Sequence, residues 1–417
     1  MTRRKALFSG FAVALVLMLA GTFPLPAQQA PTGQVVKLGE GETLTISGFI
    51  STTLFNDRGL WGAFGQGQNA EYAAIPGSQP SVGQSITDGD FRNTRIRFDF
   101  AAPPVIGKWA PRATIEADFF GAFTGAPPFG DEQPQLRGRL IFADLTNGRT
   151  TLRIGQDWSP SFAETPVSLT HIAFPLGYGA SGKIGWRFPG ISLFQDLSAA
   201  GAPLNVQMQL AVMKGSGPPA SARDAGAAQP IGSGEASGLP QLEAKFTFTK
   251  KSPNLGWSVY VVGHIDWKDT VGTGVPKSNL TGNAFEVGGS IAPGHFTLHG
   301  NYYTGKAIGQ LFGHITQTAP ASGDIHGWGA WAQAGYEFDP HWSLWAFYGL
   351  DQPDLAQFAL DHPTVVLARQ MSHVGDGLLR FRAGRYAIGL EYYRANTLWN
   401  TGLATADQYA LSALYTF

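Results

Sequence analysis

Between Asp90 and Phe188, charged and large apolar side chains separate by odd and even position. In DFRNTRIRFDF, Ile96, Phe98 and Phe100 share one parity, while Asn93, Arg95, Arg97 and Asp99 share the other. Ile115, Ala117 and Phe119 oppose Arg112, Thr114, Glu116 and Asp118. Leu136, Leu140 and Phe142 oppose Arg137 and Arg139. Leu152 and Ile154 oppose Arg149, Thr151, Arg153 and Asp157, and Ile184, Trp186 and Phe188 oppose Lys183 and Arg187. A period of two belongs to a β-strand, whose successive side chains point to opposite faces. A lipid-facing Arg or Lys near a bilayer midplane costs about 2–4 kcal/mol, so the charged face must meet water. Two sheets satisfy this: a soluble antiparallel sandwich with its charges outward, or a closed barrel with its charges around an enclosed bore.

The end of the chain separates the two. Tyr409, Leu411, Ala413, Tyr415 and Phe417 fall on one face, and Gln408, Ala410, Ser412 and Thr416 on the other, with Leu414 the exception. At the edge of a soluble sheet, such an aromatic-tipped strand invites aggregation. A strand that closes a barrel in lipid needs this pattern, with interfacial aromatics. The terminal Phe417 resembles the assembly signal of bacterial outer-membrane proteins.

The amino-terminus agrees. Arg3, Arg4 and Lys5 precede an apolar run from Ala6 to Ala20, broken at Gly21, Pro24 and Pro26. This is the layout of a secretory signal peptide over residues 1–27, cleaved after Ala27. An uncleaved anchor would need roughly 20 apolar residues, and Ser9 and Gly10 interrupt this run. The chain has no cysteine, which excludes disulfides and a lipid anchor through Cys. Gly supplies 54 of 417 residues, aromatics 12% and charged residues only 14%, which suits strands and turns better than a helical enzyme. A net charge of -1 offers no global field for nucleic acid.

Period-two segments recur about sixteen times, from Leu44–Phe55, through Lys183–Phe188, to Gln408–Phe417. Short turns at Asn147-Gly148, Pro293-Gly294, Asp339-Pro340 and Ala383-Gly384 alternate with long stretches rich in Gly and Pro. The long ones are Asp57–Asp90, Asp157–Gly182, Gly215–Gly238, Lys268–Gly282, Lys306–Ile325 and Asp351–Gly377. Outer-membrane barrels have this asymmetry, with short periplasmic turns and long outer loops. The expected architecture is all-β: a transmembrane antiparallel β-barrel of about 16 strands over residues 44–417, after a periplasmic lead at 28–43. Within Asp157–Gly182, Trp158, Phe162, Ile172, Phe174 and Leu176 are residue types that seek burial. That composition predicts a loop folded inward to narrow the bore, rather than an outer lid.

The expected pore lining is Arg95, Arg97, Arg112, Arg137, Arg139, Arg153, Lys183, Arg187, Arg380 and Arg382, with Asp99, Glu116, Asp118, Asp157 and Glu164 as acidic partners. Glu391 can also supply a partner. Stacked guanidinium groups repel one another and need water or carboxylates beside them. Such a wall would slow and select small anions. No metal or cofactor is expected: His295 and His299 lie four apart, about 13 Å along a strand, too far for one metal. Ser, His and Asp are present without the spacing of a triad, and no phosphate loop occurs. An outer-membrane barrel hydrolase, a lipase or protease, is the rival class.

Arg112–Gly121, the Leu136-Arg137 pair and LRIGQDWSPSF at Leu152–Phe162 resemble the DcaP-like outer-membrane porins, most specifically at Gly155-Gln156-Asp157-Trp158-Ser159. The resemblance implies a trimeric channel of the bacterial outer membrane, in contact with its lipid, for small anionic solutes such as dicarboxylates. Members of that family can carry a periplasmic coiled coil; Gln28 to Leu44 has no heptads, so a homotrimer here would rest on contacts between barrel walls.

Overall fold

The computed structural model describes residues 33–61, 67–75, 85–121, 134–172, 176–217, 231–250, 252, 255–270, 280–309, 325–357 and 369–417. The expected signal peptide and Phe174 lie outside the described residues. Twenty strands follow in order: β1 Gln34–Gly39, β2 Glu42–Arg58, β3 Leu60–Trp61, β4 Tyr72–Ala73, β5 Ser85–Asp90, β6 Arg95–Ala101 and β7 Ala110–Asp118. Next come β8 Arg137–Asn147, β9 Thr150–Trp158, β10 Arg187–Asp196, β11 Leu204–Met213, β12 Gln241–Lys250, β13 Leu255–Lys268 and β14 Leu280–Pro293. The last are β15 Phe296–Lys306, β16 His326–Glu337, β17 Trp342–Pro353, β18 Arg369–Ala383, β19 Tyr386–Trp399 and β20 Gly402–Thr416.

From β6 to β20 each strand pairs antiparallel with the next, and β2 closes the ring. One edge of β2 takes β6 along Thr43–Phe49 and β5 along Thr53–Arg58, so β5 and β6 form one broken stave. Its other edge takes β20 along Phe49–Arg58. The result is a closed barrel of sixteen staves. Closure pairs β2 and every strand from β6 to β20 on both edges, as a sheet in hydrocarbon requires.

The seam shows how closure is completed. Phe417 N donates to Gly48 O and Gly48 N donates to Phe417 O, both at 3.0 Å. Just beyond, Gln34 of β1 pairs opposite Ile46, so β1 prolongs the line of β20 and caps the β2 edge. The lead expected outside the wall therefore contributes Gln34–Gly39 to it, because backbone groups on that stretch of β2 need partners. At Gly48 (φ +154°) a Cβ would sit 2.1 Å from the Arg95 carbonyl oxygen. Gly48→Ala is expected to cost about 1–3 kcal/mol by this overpacking. The check is the heating temperature at which the barrel loses its compact mobility in SDS gels; an unchanged temperature would refute the seam's role.

Burial divides the faces as parity predicts. Ile50, Leu54, Ile115, Leu152, Ile154, Leu390, Tyr409, Leu411 and Tyr415 are exposed, while Ser51, Thr53, Glu116, Asp118, Glu391, Gln408 and Ser412 between them are buried. The exposed apolar face is outward and the buried polar face is inward. Aromatic pairs mark that outer face, Tyr336–Phe338 near a short turn and Tyr302–Trp328 towards a long loop, as interfacial belts would, and Tyr392–Tyr409 midway along its hairpin.

Two expectations are corrected here. Glu116 pairs with Leu140 and Ala117 with Gly138, so Arg139 is an extra, bulged residue. The bulge flips parity: Leu140 and Phe142 turn inward with Arg137 and Arg139, and Ile141, 51% exposed, takes the outer face. Secondly, the strand expected at Lys183–Phe188 begins only at Arg187. Positive φ at Gly182 and Gly185 (106° and 110°) keeps Lys183 to Trp186 out of the sheet, so Lys183 reaches the interior from a loop.

Candidate functional site

The inner faces of β6 to β9 carry a compact ionic lattice. Arg97 Nε lies 2.8 Å from Asp99 Oδ2, and its Nη1 lies 3.5 Å from Glu116 Oε2. Arg95 Nε is 3.5 Å from Glu116 Oε1. Arg139 bridges Glu116 at 2.9 Å and Asp118 at 2.8 Å, and Arg137 meets Asp118 at 2.6 Å. Arg153 joins Asp144 at 2.7 Å and Asp157 at 2.5 Å. Aromatic rings interleave: Phe49 under Arg95, Phe120 under Arg137, Trp158 under Arg139 and Phe142 under Arg153, at 5.0, 5.2, 5.5 and 3.6 Å. Arg187 rests on Trp158 and Trp186, each at 5.0 Å. Glu116 and Asp118 each serve several guanidinium groups, Arg97 and Arg153 each take two carboxylates, and the facing aromatic rings add to this, which stabilises cations that would otherwise repel. Arg97 keeps 34% of its side chain open, against 1% for Arg139, so the rungs differ in what they offer the bore.

Arg112 stands opposite Asp144 in register and is exposed at the short-turn end. Arg380 and Arg382 form a separate group, sharing Glu337 at 3.1 and 3.0 Å. The ladder therefore has two parts on different staves.

The segment after Trp158 crosses the lumen. Ser161 N donates to Glu243 of β12 at 2.9 Å, and Val167 N donates to Gln333 of β16 at 2.6 Å, with Gln333 Nε2 returning to Val167 O at 2.8 Å. Ser168 Oγ, Leu169 N and Thr170 N all donate to Glu391 of β19, at 2.6, 3.1 and 2.9 Å. Thr170 Oγ1 meets Ser412 of β20 at 2.9 Å. Glu164 contacts His299 Nδ1 of β15 at 2.9 Å, and Lys183 Nζ donates to the Glu164 carbonyl and lies 3.9 Å from the Phe162 ring centre. Apolar contacts add to these tethers: Leu169 and Val167 pack with Trp345 and Leu378, and Tyr178 packs with Trp331 and Phe347. This is the inward-folded constriction loop. Burial pushes the Lys183 ammonium down to about 8, and burial also holds the His171 imidazole below its usual range.

Several inner groups escape sequence reasoning. Part of Asp57–Asp90, expected as an outer loop, enters the barrel. Gln68 Nε2 donates to Ser51 Oγ at 3.1 Å and Thr53 Oγ1 at 3.0 Å, Ala73 N donates to Thr397 at 3.1 Å, and Tyr393 OH donates to Glu71 O at 2.8 Å. Glu391, read as an arginine partner, is instead the anchor of the constriction loop. Asp144 and Glu243 were not singled out at all; each stands at inward parity on its strand, the one cue available.

Neither a protein-family model nor a curated protein matches this sequence. Among solved structures, the outer membrane channel DcaP of Acinetobacter baumannii matches with TM-score 0.66 at 17% identity, over 92% of this chain and 99% of that one. The anion-selective porin of Comamonas acidovorans matches at 0.55 and 14%, over 90% and 100%. OmpT, an outer membrane protein of Vibrio cholerae, matches at 0.53 and 12%, over 92% and 100%. With its sixteen closed staves and inward loop, this chain has the fold of the DcaP channel and of the outer-membrane porins.

Proposed function

We propose that the chain is a porin of the bacterial outer membrane, a passive diffusion channel for small hydrophilic solutes that favours small anions such as dicarboxylates. The observation that supports this best is the lattice of Arg95, Arg97, Arg137, Arg139 and Arg153 on one inner wall, with the constriction loop tied to the opposite staves. A solute passes between the two. Arg97 and Arg153 present partly open guanidinium groups to it, at 34% and 20% exposure; Asp99 and Glu116 hold the first in place, Asp144 and Asp157 the second. The anion selectivity named for the Comamonas porin accords with this wall. Export by a cleaved signal peptide at 1–27, and trimers formed through barrel walls in outer-membrane lipid, complete the proposal.

Reversal potentials across a planar bilayer in a salt gradient test it. Native protein should prefer chloride to potassium. A unit charge about 5 Å from an ion in water is worth about 0.8 kcal/mol, so Arg97→Ala should lower chloride permeability about fourfold and move the permeability ratio towards cations. Cation selectivity in the native channel would reject the anion preference, and hydrolysis of lipid or peptide without conductance would reject the channel.

A further inference from the structure

The guanidinium groups of Arg95, Arg97, Arg137, Arg139 and Arg153 already share carboxylates, so the ladder meets an approaching anion with much of its charge committed. Lys245 of β12 differs. It shares inward parity with the buried Gln241 and Glu243, and its cross-strand neighbours are Gln209 of β11 and Val262 of β13. Its side chain is half-buried, not sealed. Among the described residues, no hydrogen bond or ion pair engages the Lys245 ammonium; Glu286, Glu243 and Asp157 act on it only at longer range. Those three carboxylates are held by other donors. Glu243 accepts from Ser161 N and meets His264 Nδ1, both at 2.9 Å. Glu286 accepts from Tyr260 OH and Asn301 Nδ2, both at 2.7 Å, and Asp157 accepts from Arg153. The side-chain amide of Gln209, level with Lys245, makes no hydrogen bond among the described residues either. Directly opposed residues on antiparallel strands hold their Cβ atoms about 5 Å apart, close enough for the ends of two long side chains to converge on the oxygens of one carboxylate.

We infer that Lys245, with the Gln209 amide beside it, is the docking point for one carboxylate of a passing anion. It rests on the anion-channel function proposed above and assigns that function a specificity-determining residue the arginine lattice does not supply. A carboxylate oxygen replaces water at the ammonium while the second oxygen takes the amide N–H. The remainder of the solute stays in the bore, beside a wall of carboxylate-paired guanidinium groups and aromatic rings. Attraction at a single ammonium in water is weak enough for release.

The test uses the full-length refolded protein in planar bilayers, with succinate as the probe. In native channels succinate should reduce the chloride current as it competes for the site. Lys245→Met should raise the succinate concentration needed for half-block by about tenfold or more, the factor for losing one charge-assisted hydrogen bond, with conductance retained. Lys245→Arg should stay within about twofold of native, because the cation is kept. Lys245→Gln gives the same readout as the Met variant should that variant fail to refold. An anion-selective native channel whose succinate block survives both neutral substitutions would overturn the inference and leave the channel function standing. A native channel without anion preference would overturn the anion preference proposed above, and this inference with it.

Discussion

Glu391→Ala is expected to loosen the tip of the constriction loop, raise single-channel conductance and admit solutes that the native bore excludes. Glu391 accepts from Ser168 Oγ, Leu169 N and Thr170 N, three donors on consecutive residues of the loop. A hydrogen bond to a charged group contributes about 1.5–3 kcal/mol, so losing three removes roughly 4 kcal/mol or more from this attachment. Opposing release are the burial of Leu169 against Trp345 and Leu378, worth about 1.5–3 kcal/mol, and the Thr170 Oγ1–Ser412 hydrogen bond, worth about 1 kcal/mol. The polar loss exceeds the two together. Two orphaned backbone N–H groups would also draw the tip towards water. Ser161 on Glu243 and Val167 on Gln333 keep the earlier part of the loop in place, so the bore widens at one side and does not lose its constriction entirely. Glu391→Gln, which keeps one acceptor, should fall between native and Ala. Single-channel steps and liposome swelling in neutral sugars of increasing size measure both effects. Native conductance and a native size cut-off in the Ala variant would show that the loop stands without this carboxylate.

The wall was legible in the sequence and the lumen's furniture was not, for separable reasons. An apolar outer face imposes strand parity along each stave, so Ile96, Phe98 and Phe100 could be set against Arg95, Arg97 and Asp99 from position alone. That rule fails where the backbone departs from a regular pleat. The bulge at Arg139 reverses the faces of Leu140 and Phe142, and no local residue pattern announces it. At Lys183 the cue was available, since Gly182 and Gly185 flank it, yet a strand reading ignored what two glycines so close together permit. The inward turn of the loop followed from apolar side chains in a connecting segment. Its anchors did not, because Ser161 and Glu243, Val167 and Gln333, and Ser168 and Glu391 stand 82, 166 and 223 residues apart. Only closure of the ring brings them together. The inner segment Gly67–Ala74 is held largely by backbone and amide hydrogen bonds, and such contacts leave no periodicity to read.

Removing one carboxylate from the lattice should harm the barrel far more than removing one arginine. Among the described residues of this wall, Arg92, Arg95, Arg97, Arg112, Arg137, Arg139, Arg153 and Arg187 outnumber Asp90, Asp99, Glu116, Asp118, Asp144 and Asp157. Glu116 is the most shared carboxylate, meeting Arg95, Arg97 and Arg139 with only 5% of its side chain exposed. Glu116→Ala removes that contact from three cations at once, and breaking a buried ionic network by deleting one partner costs about 3–5 kcal/mol. Arg97 moderates the loss, because it is partly open and keeps Asp99. Arg139 does not, since it is sealed and retains only Asp118 of its two carboxylates. In Arg139→Ala, by contrast, Glu116 keeps Arg95 and Arg97, and Asp118 keeps Arg137, so no buried carboxylate is stripped of its cations. Urea midpoints in detergent should therefore fall well below native for Glu116→Ala and only modestly for Arg139→Ala. Any folded Glu116→Ala channel should also be more anion-selective than native, since the wall gains a net positive charge. Equal losses of stability, or a shift of selectivity towards cations, would mean that the carboxylates are not what holds this wall together.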